Sequence, residues 1–324
     1  MSTTRLHVQV NPASMQAGQF PEDRCRAMAD GADVAFSYGQ DAAALEAALP
    51  EAEVLLLCGP APLQDLARRA PRLRWISYTS AGVEWLLKAG LPDGVTLTNA
   101  SGTHIPKAAE FSLAAVLMLN NFLPHFMTAQ RAHRWAPLSG GTVAGRTAMI
   151  LGMGALGGAA AGVLAAQGMR VIGNSASGRP HPAVAVMTQG DGFRAHLAET
   201  DFLIIALPLT PATNGLIGRA ELDALPSHAG VVNIGRGEIL DAVALAAKLR
   251  DGTLAGAVLD ALPQEPLPAE SPLWDTPNLI ITPHCGLYDP SAYGQRCREG
   301  FLANLRRFRA GEALHQVVGL ERGY

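Results

Sequence analysis

The chain is predicted to fold as an α/β protein with two lobes, each built on a doubly wound parallel sheet. Short apolar runs recur along its 324 residues, separated by stretches rich in alanine and leucine, which favour helices. Most of the runs are continuously apolar rather than alternating, as is typical of strands covered on both faces. Strands that alternate with helices in this way specify parallel sheets with right-handed crossovers.

The predicted strands fall into two sets, one for each lobe. The first set is 6–10, 34–38, 54–58, 73–78 and 96–99, and the second is 147–152, 170–173, 202–207, 231–234, 257–260 and 279–282. The boundary is predicted near Ser101 and Gly102, which makes 1–101 the first domain and 102–285 the second. Residues 286–324 carry a predicted helix over 291–309, which we expect to return to the first domain.

Prolines and glycines predict how the connecting segments are divided. Residues 105–121 read as one long apolar helix, with Pro106 in a first-turn position that tolerates proline. Pro124 is predicted to break this helix, and a second helix is predicted over 125–134. Residues 174–192 are rich in glycine, serine and proline, which predicts a loop.

The bulk composition excludes several classes of protein. The chain is 48% hydrophobic and 16% charged, which suits a globular enzyme rather than a disordered protein. The net charge of −3 is too small to attract nucleic acid or an anionic membrane, so an anionic substrate needs individually placed cations. The four cysteines form no CxxC pair, and residues 1–10 contain no apolar stretch of signal-peptide length. We therefore expect a reducing cytoplasm and no metal site.

A GxGxxG motif follows the apolar residues 147–151 and opens an alanine-rich helix. It consists of Gly152, Met153, Gly154, Ala155, Leu156 and Gly157. The order of strand, glycines, helix and second strand is the context that a dinucleotide-binding motif requires. The glycines allow a tight turn, close approach to a pyrophosphate and close packing of helix on strand, while the helix N-terminus supplies amide donors. We therefore predict a bound dinucleotide; the alternative is a glycine-rich crossover without a ligand.

The strand after this helix lacks an acid where NAD-preferring sites usually have one, about 20 residues after the glycines. The segment contains Asn174, Ser175, Ser177 and Arg179 instead. The serines and the arginine can hydrogen-bond a 2′-phosphate. We therefore predict that NADP(H) is favoured over NAD(H); the alternative is a site that accepts both, with Arg179 solvated.

Four residues able to carry chemistry follow predicted strands of the second lobe: Arg236, Asp260, Glu265 and His284. Ligands of parallel sheets bind at the carboxyl ends of strands. The planar guanidinium of Arg236 matches a carboxylate and can polarise an adjacent carbonyl. Histidine suits proton exchange with a carbonyl oxygen, and a nearby carboxylate favours the charged imidazolium. Individually each residue also fits a cap, a loop charge or a turn.

At these residues the sequence resembles the D-isomer-specific 2-hydroxyacid dehydrogenase family over essentially the whole chain. The motifs that carry the resemblance are GMGALG (152–157), LPLTPATNGLI (207–217), VVNIGRGEILD (231–241), LDALPQEPLP (259–268) and SPLWDTPNLIITPHCG (271–286). Upstream, TSAGVEWLL (79–87) and TNASGTHIPKAAEF (98–111) look like the substrate loop and the interdomain helix of the family. The resemblance implies a Rossmann-type nucleotide domain inserted in a flavodoxin-like substrate domain.

The resemblance also implies residue roles. Arg236 matches the substrate-binding arginine, His284 the general acid and base, Glu265 its carboxylate partner, and Asp260 the acid that hydrogen-bonds the nicotinamide carboxamide. The loop that binds the substrate carboxylate is expected at Ser80, Ala81, Gly82 and Val83, together with Arg236 and His284. Further cofactor contacts are expected at Leu207, Pro208, Thr213, Ile234, Gly235, Asp260, His284 and Gly286.

The family and its missing acid together predict a glyoxylate/hydroxypyruvate-type reductase that interconverts a small 2-oxo acid and its D-2-hydroxy acid. A homodimer through the nucleotide domain is expected, with residues 122–137 as an arm in the interface. Trp135 either reaches a partner's pocket or packs the arm. The alternatives left open are a dinucleotide-sensing, corepressor-like binding protein and a phosphite or phosphoglycerate dehydrogenase. Glu265 counts against a formate dehydrogenase, which carries glutamine at the matching position.

Overall fold

The computed structural model describes residues 3–30 and 33–319, and the chain divides into two compact units. The first unit comprises Met1–Thr103 and Asp289–Tyr324, and the second comprises His104–Tyr288. The chain therefore leaves the first unit after Thr103 and returns to it at Asp289, so the second unit is an insertion in the first.

The first unit is built on a five-stranded parallel sheet. Its strands are β1 (Thr4–Val10), β2 (Val34–Gly39), β3 (Val54–Cys58), β4 (Trp75–Tyr78) and β5 (Thr96–Thr98), in the order β2-β1-β3-β4-β5. The helices are α1 (Glu22–Arg26), α2 (Ala42–Ala48), α3 (Leu66–Arg69), α4 (Glu84–Ala89) and a C-terminal helix (Tyr293–Ala310), with a 3₁₀ turn at Ala17–Gln19. This strand order is that of flavodoxin-like sheets.

Apolar residues on both faces hold the first unit together. Leu45 of α2 and Leu55 of β3 belong to one buried cluster. Trp75 is buried and stacks on Phe301 of the C-terminal helix, with ring centroids 5.0 Å apart, and its Nε1 donates to Thr98 Oγ1 at 2.9 Å. Because the buried indole keeps its hydrogen bond, its burial costs little in desolvation. The stacking of Trp75 on Phe301 places the C-terminal helix over this part of the sheet.

The second unit is built on a seven-stranded parallel sheet. Its strands are β6 (Thr147–Leu151), β7 (Arg170–Asn174), β8 (Val186–Thr188), β9 (Phe202–Ile205), β10 (Gly230–Asn233), β11 (Gly256–Leu259) and β12 (Leu279–Ile281), in the order β12-β11-β10-β9-β6-β7-β8. The helices are α5 (Ile105–Asn120), α6 (Leu123–Arg131), α7 (Ala155–Ala166), α8 (Arg219–Ala224) and α9 (Ala242–Arg250), with 3₁₀ segments at Gly190–Glu199 and Gly237–Ile239.

Successive residues of β6 point to opposite faces of this sheet, and each face has its own core. Met149 and Leu151 belong to the cluster that includes α9, whereas Ala148 and Ile150 belong to the cluster that includes α5 and α7. The sheet is therefore covered by helices on both sides, which confirms the predicted doubly wound class. β6 lies between β7 and β9, so the strand order reverses there and a crevice opens at the carboxyl ends of the strands.

Two local predictions were wrong. The predicted loop over 174–192 contains the edge strand β8, which pairs with β7 and begins within the apolar run 183–187. The second helix begins at Leu123 rather than at residue 125, because Pro124 occupies the first turn of α6, where a missing N–H costs nothing. Phe122 takes the left-handed backbone conformation that separates α5 from α6.

In the described parts of the chain no single helix is long and apolar enough to cross a membrane. One bent pair of helices, Ile105–Asn120 with Leu123–Arg131, passes the same test by length and composition only.

Candidate active site

The predicted glycine turn connects β6 to α7 at the switch point of the second sheet. Gly152 has a φ of +96°, and a Cβ there would lie 2.6 Å from Ala206 O. A Cβ on Gly157 would lie 1.8 Å from Gly152 O, so the helix packs directly on the turn. A Cβ on Gly154, the N-cap of α7, would meet no heavy atom within 4 Å, and no side chain caps the helix there. The first backbone amides of α7 therefore border an open space, the dinucleotide cradle, which fits the pyrophosphate of a dinucleotide.

We expect Gly157→Ala to lower the melting temperature and to abolish dinucleotide binding, because the added methyl group overlaps Gly152 O. Overpacking of this kind costs about 1–3 kcal/mol, and here the clash is with backbone. The matched control is Gly162→Ala on the same helix, where a Cβ meets nothing within 4 Å. The control is expected to stabilise α7 by up to about 1 kcal/mol. Thermal denaturation and cofactor titration of both variants test this, and unchanged binding in Gly157→Ala would contradict the account.

A compact turn follows β7, where the sequence predicts the ribose site. Asn174 is buried; its Nδ2 donates to Thr188 Oγ1 and to Gly190 O, both at 3.0 Å, so the side chain holds the edge of the sheet. Ser175 Oγ accepts from the Gly178 amide at 3.1 Å, and Ser177 Oγ accepts from the amide of the next-but-one residue at 3.4 Å. The two hydroxyl oxygens are also 3.5 Å apart, so one hydroxyl donates to the other and one hydrogen is left for donation outward.

Arg236 lies directly after β10, between two glycines that are packed against neighbouring loops. A Cβ on Gly235 would lie 2.6 Å from Leu207 O, and one on Gly237 would lie 1.9 Å from Leu262 C. The Arg236 guanidinium donates to Gly235 O through Nη1 at 3.0 Å. The backbone on both sides of the arginine is therefore fixed, on one side by the loop after β9 and on the other by the loop after β11.

His284 lies after β12 and is paired with Glu265. His284 Nδ1 is 2.8 Å from Glu265 Oε2, and Glu265 Oε1 accepts from the Leu262 amide at 2.9 Å. Because a carboxylate accepts at Nδ1, this ring nitrogen carries a hydrogen and Nε2 is left to exchange a proton. His284 has a φ of +50°, an uncommon conformation for a residue other than glycine and one that clusters at functional sites.

Asp260, at the end of β11, organises the loop that carries His284. The Asp260 carboxyl group is buried, and its Oδ1 accepts from Thr282 Oγ1 at 2.6 Å and from the amides of Cys285 and Gly286 at 3.1 and 2.9 Å. These three donors fix the backbone on both sides of the histidine. Sequence reasoning missed Thr282, because its hydrogen bond to Asp260 joins residues 22 positions apart in the chain.

The Arg236, Glu265 and His284 segments form one contact network. Gly237 packs on Leu262, the Leu262 amide binds Glu265, and Glu265 binds His284. The strands that carry them, β10, β11 and β12, are neighbours at one end of the sheet. The structure thus brings the predicted arginine and the predicted histidine–carboxylate pair to the same edge, the edge that also carries the glycine turn.

The remaining residues predicted to contact the cofactor serve the local structure. Thr213 Oγ1 donates to Pro208 O at 2.7 Å, and it accepts from the Thr210 amide at 2.8 Å. Ile234 is buried. A Cβ on Gly286 would lie 2.4 Å from the ring of Phe111, so the loop after His284 packs against α5. The roles of these residues toward a cofactor stay predictions.

One hydrogen bond joins the two ends of the second unit. His104 Nδ1 is 2.8 Å from Leu287 O, which joins the start of α5 to the segment that leaves the unit.

The predicted substrate loop lies in the first unit. There, Ser80 O accepts from the Ala100 amide at 3.1 Å and Ala81 O accepts from Asn99 Nδ2 at 2.8 Å. Within the described residues the amides of Ser80, Ala81, Gly82 and Val83 donate to no backbone carbonyl, which suits the carboxylate-binding role predicted for them.

Thiol chemistry is not supported by the buried cysteines. Burial raises the pKa of the Cys25 thiol to about 12 and that of the Cys58 and Cys297 thiols to about 11. All three lie in the first unit and are protonated at neutral pH.

Comparison with known protein families shows the family to which the chain belongs. The family model described as "D-isomer specific 2-hydroxyacid dehydrogenase, NAD binding domain" matches residues 113–286. That range contains the glycine turn, Arg236, Glu265 and His284. The chain belongs to the D-isomer specific 2-hydroxyacid dehydrogenase family, as its motifs had indicated.

Solved structures of similar proteins extend over the whole chain. A D-isomer specific 2-hydroxyacid dehydrogenase from Xanthobacter autotrophicus Py2, in complex with NADPH and MES, is 30% identical with a TM-score of 0.85, covering 100% of both chains. An NADPH-dependent glyoxylate/hydroxypyruvate reductase from Sinorhizobium meliloti, in complex with NADP and sulfate, is 31% identical with a TM-score of 0.84, covering 99% of this chain and 100% of that one.

A D-3-phosphoglycerate dehydrogenase from Mycobacterium leprae is 30% identical over 316 residues, which are 96% of this chain and 60% of that protein. The chain therefore spans 60% of the length of this relative. Proteins named for different substrates are thus similar to this chain at nearly the same sequence identity.

Proposed function

We propose that the chain is an NAD(P)-dependent oxidoreductase that reduces a small 2-oxo acid to its D-2-hydroxy acid, with glyoxylate or hydroxypyruvate as the substrate class. The observation that carries the proposal is the network of Arg236, Glu265 and His284 at the carboxyl edge of the sheet that bears the glycine turn. The second unit is then the cofactor domain and the first unit the substrate domain.

Arg236 binds the carboxylate of the substrate. Its guanidinium offers parallel donors that fit two carboxylate oxygens, and its flanking glycines hold the backbone rigidly, so little entropy is lost on binding. Arg236 thereby holds the carboxylate of a 2-oxo acid, and with it the adjacent carbonyl group that is to be reduced.

His284 supplies the proton. The imidazolium donates from Nε2 to the oxygen of the carbonyl group as that carbon receives hydride, and the carbonyl becomes a hydroxyl. Glu265 holds Nδ1 at 2.8 Å, so it orients the ring and stabilises the charge on it until the proton leaves. In the reverse direction neutral His284 takes the proton from the hydroxyl.

A bound nicotinamide dinucleotide supplies the hydride and accepts it in the reverse direction. The amides at the start of α7 hold its pyrophosphate, beside the open space at Gly154. Asp260 uses Oδ1 for its three observed hydrogen bonds. Asp260 Oδ2 makes no hydrogen bond within the described residues, so it can accept one from an N–H of the nicotinamide carboxamide.

NADP(H) is favoured over NAD(H) because the turn after β7 presents donors. Ser175 and Ser177 each accept a backbone hydrogen bond and share one hydrogen between their hydroxyls, so one hydroxyl hydrogen is left to donate to a phosphate. Arg179 is exposed on the same loop, and no acidic residue occurs from Asn174 to Gln189. Both relatives described above were crystallised with NADPH or NADP, which supports this preference.

We expect the wild-type enzyme to have a higher kcat/KM with NADPH than with NADH, and Ser175→Asp to reverse the preference. A carboxylate at this position repels a 2′-phosphate and accepts from a ribose hydroxyl, so we expect the ratio to change by about 100-fold. Steady-state kinetics with both cofactors at a saturating 2-oxo acid measure it. The control is Ser271→Asp, on a loop far along the chain from β7, which should leave the ratio unchanged. A wild-type preference for NADH would contradict the proposed cofactor.

A homodimer through the second unit follows from its exposed apolar residues. Trp135 is 96% exposed, and other large apolar side chains are exposed nearby in the sequence: Leu117, Leu123, Phe126, Met127 and Leu138. A second copy of the chain would cover them, because exposed large apolar side chains gathered in one segment favour association. Trp135→Asp is expected to raise the dimer dissociation constant, which sedimentation at decreasing concentration measures.

A reductase screen tests the proposed reaction. Glyoxylate, hydroxypyruvate and 3-phosphohydroxypyruvate are assayed with NADPH and NADH, and the chirality of the hydroxy acid is determined where it has a stereocentre. We expect turnover of the two small acids and a D product. Turnover of the phosphorylated acid alone would favour a phosphoglycerate dehydrogenase, and tight NADPH binding without turnover of any 2-oxo acid would favour a binding protein.

A further inference from the structure

We propose that His181 is a specificity-determining residue that donates a hydrogen bond to the 2′-phosphate of NADP(H). This inference rests on the proposed NADP(H) preference and names the residue that completes the phosphate site. His181 lies on the loop between β7 and β8, beyond Arg179. Its imidazole lies over the first turn of α7.

The position of the ring follows from Gly158. A Cβ on Gly158 would lie 3.3 Å from His181 Nε2 and 3.9 Å from Cδ2, so the ring edge occupies the space that a side chain would fill. Gly158 lies one helical turn after Gly154. His181 Nε2 is therefore placed beside the same turn of α7 that forms the dinucleotide cradle, on the side of the loop that follows β7. In this fold, the ribose 2′ position lies at the end of that strand.

The backbone around His181 is rigid. Pro180 and Pro182 flank the histidine, and the amide of Val184 donates to His181 O at 3.0 Å, which closes a turn with Pro182 at its second position. Ala183 and Val184 pack against the apolar cluster that contains Leu164 of α7. The turn is thus fastened to the helix, and little entropy is lost when His181 binds a ligand.

The tautomer of His181 makes Nε2 a donor. The Ala183 amide donates to His181 Nδ1 at 3.3 Å, so Nδ1 carries no hydrogen in this arrangement. The remaining hydrogen of a neutral imidazole is then on Nε2. His181 can therefore donate from Nε2 without being charged, as one hydroxyl of the Ser175–Ser177 pair does. The loop thus presents two neutral donors and the Arg179 guanidinium, with no acid from Asn174 to Gln189.

The test uses two fragments that differ only in the 2′-phosphate, adenosine 2′,5′-bisphosphate and 5′-AMP, titrated into the full chain by calorimetry. His181→Phe keeps the ring volume and removes the donor, whereas His181→Gln keeps an N–H donor. We expect His181→Phe to bind the bisphosphate about tenfold more weakly than the wild type and to bind 5′-AMP with unchanged affinity. We expect His181→Gln to retain most of the wild-type affinity for the bisphosphate. His228→Phe, just before β10, is the control and should bind both fragments as the wild type does.

Three outcomes would overturn the inference. His181→Phe could retain the full difference between the two fragments, or it could lose both equally, which would show a structural role. His181→Gln could bind the bisphosphate as weakly as Phe does. Equal affinity of the wild type for both fragments would instead overturn the NADP(H) preference on which the inference rests. The reductase screen is independent of all of these results.

Discussion

Replacement of His284 by asparagine is expected to lower kcat for 2-oxo acid reduction by about 10³-fold. General acid catalysis contributes about 10²–10⁴-fold, and this variant removes the only imidazole in the network of Arg236, Glu265 and His284. Asparagine is chosen because the φ of +50° at this position is tolerated better by asparagine than by alanine. The dissociation constant for NADPH, measured by fluorescence titration, should stay within about twofold because the glycine turn is untouched.

Two further variants make this test specific. Glu265→Gln retains an acceptor for the Leu262 amide but loses the charge beside His284, so we expect kcat to fall by at least about tenfold. His228→Asn changes an exposed histidine that binds Asp201 Oδ1 at 3.0 Å, just before β10, and should leave kcat unchanged. Wild-type turnover in His284→Asn would remove the proposed proton donor.

Replacement of Arg236 by lysine is expected to lower kcat/KM for the 2-oxo acid by about 10–10²-fold. Lysine keeps the positive charge but cannot present the parallel donors of a guanidinium to both carboxylate oxygens, and a hydrogen bond to a charged group contributes about 1.5–3 kcal/mol. Most of the loss should appear in KM, because the interaction already exists in the bound substrate. Initial rates over a wide range of glyoxylate concentration separate kcat from KM.

The matched control is Arg219→Lys, which exchanges the same residue types at an exposed pair with Asp223 on α8. It should leave both kinetic parameters unchanged, since exposed ion pairs contribute little. An Arg236→Lys enzyme with wild-type KM for glyoxylate would show that the carboxylate is bound elsewhere.

Most of the fold could be predicted because the buried strands are continuous apolar runs. β6 and β9 are buried along their whole length, so their sequences carry the signal of a doubly covered sheet. β8 was missed because its apolar run, 183–187, lies in a segment whose glycines, serines and prolines predict a loop. Its three residues are only partly buried at the edge of the sheet, and it is held by side-chain bonds such as that from Asn174 to Thr188.

The candidate site was predictable where a motif places a residue at the end of a strand. Arg236, Asp260 and His284 each follow a strand, and parallel strands bring their carboxyl ends together. The roles of Thr282 and His181 depend on contacts across the chain, from Thr282 to Asp260 and from His181 to the space above Gly158. Such contacts leave no periodic pattern in the sequence, so the three-dimensional structure was needed to find them.

The most direct test of the central claim follows the hydride itself. The chain is incubated with NADPH deuterated at C4 of the nicotinamide and with hydroxypyruvate, and the product is analysed by mass spectrometry and NMR. We expect glycerate of the D configuration with deuterium at C2, formed by the wild type and lost in His284→Asn. A full set of 2-oxo acids that yields no deuterated hydroxy acid, with cofactor bound, would contradict the account.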